Sequence, residues 1–175
     1  PRYCYVRGLI SPAIVYHVQL PVPQNWNGRF VNWGDGAKDG DLDFADHRVA
    51  QGYAVANSNT GHDSGSEPGA SFGHNNRQAE IDFGYRAVHL TVNAAKTVIE
   101  VYYGSAAAFS YHEGCSTGGR QGLMEAQRYP YDFDGIIAGA PVNFYQELNT
   151  THVWMLQRVF EDHFAGNLAF DTNGD

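Results

Sequence analysis

The 175-residue chain is the size of one domain, and its 43% hydrophobic and 17% charged residues are the make-up of a globular protein with chain enough to bury a core. A formal net charge of −8 argues against nucleic-acid binding, which needs a basic surface, and no apolar run of about eighteen residues offers a membrane span. Pro1-Arg2-Tyr3-Cys4 carries neither an initiator methionine nor a charged-then-apolar leader, and Asp171-Thr172-Asn173-Gly174-Asp175 has the look of a loop cut partway, so the chain is expected to be a piece of a longer protein.

Residues 13–20 mix β-branched and aromatic side chains and stop at Pro21 and Pro23, which predicts a strand. A turn at 25–28 leads into a second short strand at 29–33, followed by the glycine-dense loop Gly34-Asp35-Gly36-Ala37-Lys38-Asp39-Gly40, which exposes backbone N–H groups. Residues 44–51 form a short helix closed by Gly52, and 53–58 the next strand. The polar, Gly- and Ser-rich stretch 59–76 is expected to be irregular. It holds His62, Asp63 and His74, whose spacing matches no metal-ligand pattern and which are expected to be solvated loop residues.

Ile81, Tyr85, Val88, Val92, Ala95, Ile99 and Tyr102 recur in steps of four and three, so one apolar stripe runs along a helix over 79–103, ended by Gly104. His89 in this helix is expected to be a surface or core histidine. Beyond a strand and a second helix, residues 133–139 predict a buried strand, and 142–164 an amphipathic helix with Phe144, Tyr145, Trp154 and Phe160, expected as core or as the wall of an acyl pocket. Strands and helices alternating in this order predict an α/β fold, a three-layer sandwich on a mainly parallel sheet. Residues 1–142 would form its core and 143–175 a helix leading away from it.

The strongest local signal lies at 109–128, where a β-prone segment meets an apolar-patterned helix across Gly114-Cys115-Ser116-Thr117-Gly118. This is the G-x-S-x-G pattern of a nucleophile elbow, in which a tight turn lifts a serine hydroxyl above the carboxyl ends of a sheet. The helix that follows points free N–H groups and its dipole at that hydroxyl. Gly69-Ala70-Ser71-Phe72-Gly73 matches the same pattern but sits in a polar run, so Ser116 is the expected nucleophile and Ser71 a chance match. The residue after the nucleophile, Thr117, is one expected oxyanion donor through its N–H. The glycine loop supplies the other, at Gly36 or, failing that, its neighbour Ala37.

The run from Tyr111 to Pro141, with Gly-Cys-Ser-Thr-Gly-Gly at its core, resembles the tannase and feruloyl esterase family of serine esterases, which includes mono(hydroxyethyl) terephthalate hydrolases. Residues 20–30, leading into the glycine loop, and 81–89 agree with it. The resemblance implies an α/β-hydrolase fold, Ser116 as nucleophile, and no cofactor needed for the chemistry. It further implies a small aromatic ester as substrate, feruloyl, galloyl or a related benzoyl compound, its alcohol part a plant cell-wall sugar in some cases.

It also implies that Cys115 pairs with a cysteine beside the catalytic histidine. That cysteine, the histidine and the catalytic aspartate have no match here and are expected downstream of Asp175, beyond a lid domain whose start the 171–175 segment would mark. The D-x-N-x-D spacing of that segment resembles the opening of a calcium loop without its glycine and distal glutamate, so calcium, if bound, belongs to the lid. A bridge at Cys115 implies an oxidising compartment, secreted or periplasmic. Two cysteines within the chain, Cys4 and Cys115, allow one other pairing.

Within the chain, His112, His152 and His163 are the alternative bases. His112, four residues before Ser116 on the same strand, is expected to point away from the hydroxyl. Two other outcomes stay open at this point: a chain that is catalytically incomplete by itself, and a calcium- or carbohydrate-binding module using the glycine and aspartate loops.

Overall fold

The computed structural model describes the backbone of residues 1–164 and the side chains of 1–161. The chain divides into two compact units, 1–141 and 142–175. The first is built on a six-stranded sheet of β1 (Tyr3–Ile10), β2 (Ile14–Pro21), β3 (Arg29–Gly34), β4 (Ala54–Ser58), β5 (Phe109–Cys115) and β6 (Gly135–Gly139), in the order β1-β2-β4-β3-β5-β6. β1, β2 and β4 pair antiparallel, whereas β4, β3, β5 and β6 run parallel. This is the expected α/β architecture with a mainly parallel sheet.

β1 is absent from the sequence expectations. It alternates half-buried and exposed residues at the sheet edge, so it lacks the continuous apolar run that marks the inner strands. The inner strands have that run: Val18, Leu20, Phe30, Val31, Ala54, Val55 and Ala56 are all buried.

The helices are α1 (Asp46–Ala50), α2 (Arg77–Ile81), α3 (Ala87–Tyr103), α4 (Thr117–Arg128) and, in the second unit, α5 (Tyr145–Phe164). α3 seals one face of the sheet with Val88, Val92, Ala95 and Ile99 against Val18, Leu20, Phe30, Ala54 and Ala56. Four of those helix positions belong to the stripe read from the sequence. Gly104 ends the helix at φ 73°, its N–H on Glu100 O.

The single long helix expected over 79–103 is instead α2 and α3 joined by a π turn at Asp82–Arg86. A π turn leaves carbonyls out of the regular ladder, and Arg120 of α4 collects two of them, Phe83 O at 3.1 Å and Gly84 O at 3.2 Å. On the other face α1 packs Val49 with Ala45, Val31 and Val55, and Arg48 grips Glu113 of β5 through two hydrogen bonds of 2.8 Å.

Within the second unit, Phe144, Trp154 and Phe160 are exposed. The 171–175 segment and the side chain of His163 lie outside the described residues.

Candidate functional site

All four parallel strands end at one edge of the sheet: Ser58 on β4, Gly34 on β3, Cys115 on β5 and Gly139 on β6. Loops that leave a parallel sheet at its carboxyl edge are where α/β proteins hold ligands. The stretch 59–76 is irregular, as expected, with a single 3-10 turn at Ser71–Gly73.

Ser116 joins β5 to α4 with φ 58° and ψ −116°. A non-glycine residue in that region costs about 1–3 kcal/mol and persists only where its surroundings impose it. Here they do so from both sides: Ser116 N–H donates to Gly139 O at 3.0 Å, and its carbonyl accepts from Arg120 N at 3.0 Å. Two glycines permit the bend. A Cβ on Gly114 would lie 2.5 Å from the backbone of Gly118, and one on Gly118 would lie 2.7 Å from the carbonyl of Gly34. Ser116 is half-buried, at the mouth of a helix whose first N–H groups have no intrahelical acceptor. Ser71 has none of this. It is exposed in its 3-10 turn and is not among the residues of positive φ.

The elbow and the glycine loop meet directly. The hydroxyl of buried Thr117 donates to Ala37 O, and Gly34 lies beside Gly114 in the sheet and beside Gly118 in space. The structure therefore brings Thr117 and the 34–40 loop together beside Ser116. Gly36 N–H donates to the carboxylate of Asp35 at 2.6 Å, so Gly36 can offer that donor to a ligand only when Asp35 turns away. Burial, with Asp39 and Asp43 nearby, pushes the Asp35 carboxyl up to about 8, against the pull of the Gly36 N–H.

His112 is fully buried beneath the elbow. Its Nε2 lies 2.9 Å from Gly118 O, which can only accept, so Nε2 carries the proton. Nδ1 then accepts from Asn32 Nδ2 at 3.2 Å. Both nitrogens are committed and burial holds the ring neutral, so His112 supports the elbow and does not act as a base.

His62 is buried, stacked on Phe72 at 3.8 Å, and not a solvated loop residue as expected. His74 and Asp63 of the same loop are not buried. His89 is a structural histidine: Nδ1 pairs with Asp132 at 2.6 Å and the ring stacks on Tyr129 at 3.8 Å. His152 is exposed on α5. Among the described residues, potential metal ligands converge at His89, Glu125 and Asp132 and at Asp35, Asp41 and Asp43, but not at His62, Asp63 and His74.

Cys4 and Cys115 are both free thiols. Three strands separate β1 from β5, which puts the two roughly 19 Å apart in the sheet, far beyond disulfide reach.

Sequence reasoning treated the 34–40 loop as backbone alone and missed its side chains. Asp39 is buried and accepts from Gln121 Nε2 of α4 at 2.9 Å. No residue adjacent in sequence signals that contact, which joins positions 82 residues apart.

Comparison with known proteins identifies the family. The model of the family described as tannase and feruloyl esterase matches residues 2–169. The chain is 42% identical over 125 residues to a probable feruloyl esterase B-2 of Aspergillus flavus, covering 70% of this chain and 23% of that protein. It is 39% identical over 152 residues to a probable feruloyl esterase of Arthroderma benhamiae, covering 83% and 28%. The crystal structure of feruloyl esterase B from Aspergillus oryzae superposes with a TM-score of 0.72 at 34% identity, over 80% of this chain and 28% of that one. The chain thus spans about a quarter of the length of the relatives it matches. With its family model matched almost end to end and its elbow formed as the motif requires, the chain belongs to the tannase and feruloyl esterase family.

Proposed function

We propose that this chain carries the nucleophile-bearing part of a carboxylic ester hydrolase acting on small aromatic esters, feruloyl, galloyl or related benzoyl compounds, some of them attached to plant cell-wall sugars. The observation that carries the reading is the backbone of Ser116, held at φ 58° and ψ −116° between strand and helix. Relatives named as feruloyl esterases support the substrate class.

In the proposed cycle Ser116 Oγ attacks the ester carbonyl while a base takes its proton. The carbonyl oxygen gains negative charge beside the α4 N-terminus and is held by the N–H of Thr117 and an N–H of the 34–40 loop, Gly36 or Ala37. Collapse expels the alcohol, which takes the proton from the base, and water then cleaves the acyl-enzyme by the same route in reverse. Removing one oxyanion donor costs about a hundredfold or more in turnover. The chemistry asks for no cofactor.

His112 is committed to the fold; the base and its orienting aspartate are assigned, as the family resemblance implies, to the longer protein downstream of Asp175. The exposed thiol of Cys115, directly before the nucleophile, is assigned a disulfide partner beside that histidine, which makes a secreted or periplasmic enzyme. No helix of the described residues is long and apolar enough to cross a membrane.

A chromogenic aryl-ester assay of the full-length protein, with Ser116→Ala beside it, tests the reading. The variant should lose turnover while keeping its unfolding midpoint; a variant as active as the parent overturns the reading. The 175-residue chain alone should show no Ser116-dependent turnover, and turnover there would mean that a base within the chain serves.

A further inference from the structure

We propose that Asp39 is a positioning residue for the reaction: its buried side chain, held by Gln121, sets the 34–40 loop against the elbow helix so that the loop N–H groups converge beside Ser116. The inference rests on the serine-esterase reading and concerns a side chain that touches no reacting atom.

Asp39 is 4% exposed, and its φ of 54° is one that a non-glycine residue adopts at a cost. An acidic residue that is both buried and strained is a double expense, which surrounding structure must offset. Three contacts do so. The Asp39 N–H donates to Gly36 O at 2.9 Å, closing the loop into a turn. Its Oδ2 accepts from Gln121 Nε2 at 2.9 Å, and Gln121 is itself buried. The Arg120 guanidinium lies close enough to oppose the effect of burial on the carboxyl, and Arg120 is anchored on the Phe83 and Gly84 carbonyls of the π turn.

Gln121 stands one helical turn after Thr117, on the same face of α4. That face therefore grips the loop twice, Thr117 on Ala37 O and Gln121 on Asp39, and the Gly36 and Ala37 N–H groups in question lie at and just before the first grip. Thr60, Asp41 and the neighbouring Asp35 also act on this carboxyl. A loop fastened at one point can pivot about it, whereas one fastened at two has its amides fixed. Oxyanion stabilisation depends on donors already in place when charge develops.

The test is kinetic, in the full-length protein. Asp39→Ala should lower kcat at least tenfold with KM changed less than twofold. Asp39→Asn, whose amide oxygen still accepts from Gln121, should recover most of the loss, and Gln121→Met should reproduce it. Backbone amide exchange at 36–40 should speed up at least tenfold in Asp39→Ala and Gln121→Met; should Asp39→Ala fail to fold, the Gln121→Met and Asp39→Asn pair decides. Wild-type kcat in these variants, in an enzyme that Ser116→Ala silences, overturns this role alone. Full turnover in Ser116→Ala overturns the esterase reading and this role together.

Discussion

The Thr117 hydroxyl donates to the carbonyl of Ala37, tying the first residue of α4 to the loop after β3. Two segments 80 residues apart in sequence are thus joined beside Ser116, the proposed nucleophile. Thr117→Val keeps the backbone N–H and the side-chain shape but leaves the Ala37 carbonyl without its partner, at a cost of about 1–2 kcal/mol. Turnover should fall in Thr117→Val and not in Thr117→Ser, and urea unfolding should rank their stabilities in the same order. Since the proposed oxyanion N–H is present in both variants, the difference reports loop placement.

Gly118 and Gly36 separate close packing from open space. A methyl on Gly118 would drive into the Gly34 and Asp35 carbonyls at 2.7 and 2.8 Å, whereas one on Gly36 meets nothing within 4 Å. Gly118→Ala should lose about 2 kcal/mol or more, since backbone on both sides must shift, and Gly36→Ala should stay within roughly 0.5 kcal/mol. Denaturant midpoints of the two proteins check the contrast.

His112 supports the elbow through its neutral form. Replacing it by Leu strands the Gly118 carbonyl and the Asn32 amide in the interior, each costing about 1–3 kcal/mol. His112→Leu should therefore unfold several degrees below the parent in a thermal scan, and any turnover left should still depend on Ser116.

Three buried carboxyls set the pH dependence of stability. Burial raises Asp39 to about 7 and Asp35 to about 8; burial followed by the neighbouring Asp132 raises Glu125 to about 9. Above the ordinary carboxyl range the folded chain holds a proton that the unfolded chain has released, so this stabilisation is complete below that range, falls progressively as pH rises from it, and is fully lost once pH has passed about 7 for Asp39, about 8 for Asp35 and about 9 for Glu125. The buried rings of His17, His62 and His112 have the opposite sign: burial lowers all three, so stability is lost as pH falls below about 6.5. The unfolding midpoint should fall between pH 7 and 9, and Glu125→Gln should flatten that fall. A midpoint that climbs over the same interval contradicts the assignment.

The elbow was legible because its demands are local: a G-x-S-x-G turn between a β-prone and a helix-prone segment is specified by residues adjacent in sequence. The inner strands and the α3 stripe were legible because burial imposes apolar side chains at a fixed period. β1 was not, since an edge strand alternates and its pairing with β2 depends on a turn at Ser11 and Pro12 that leaves no strong pattern. The π turn at Asp82–Arg86 inserts its irregularity without disturbing the apolar spacing, and so escaped notice. Asp39, Gln121 and Arg120 were hidden for another reason. Their roles come from contacts between segments far apart in sequence, 82 residues for Asp39 and Gln121, and nothing adjacent announces a buried carboxylate.

The most direct measurement is to trap the covalent intermediate. The full-length protein, mixed briefly with an activated ferulate ester and quenched in acid, should carry one feruloyl group, and peptide mass mapping should locate it on Ser116. An acyl group on any other residue, or none while the ester is being turned over, would contradict the assignment of the nucleophile.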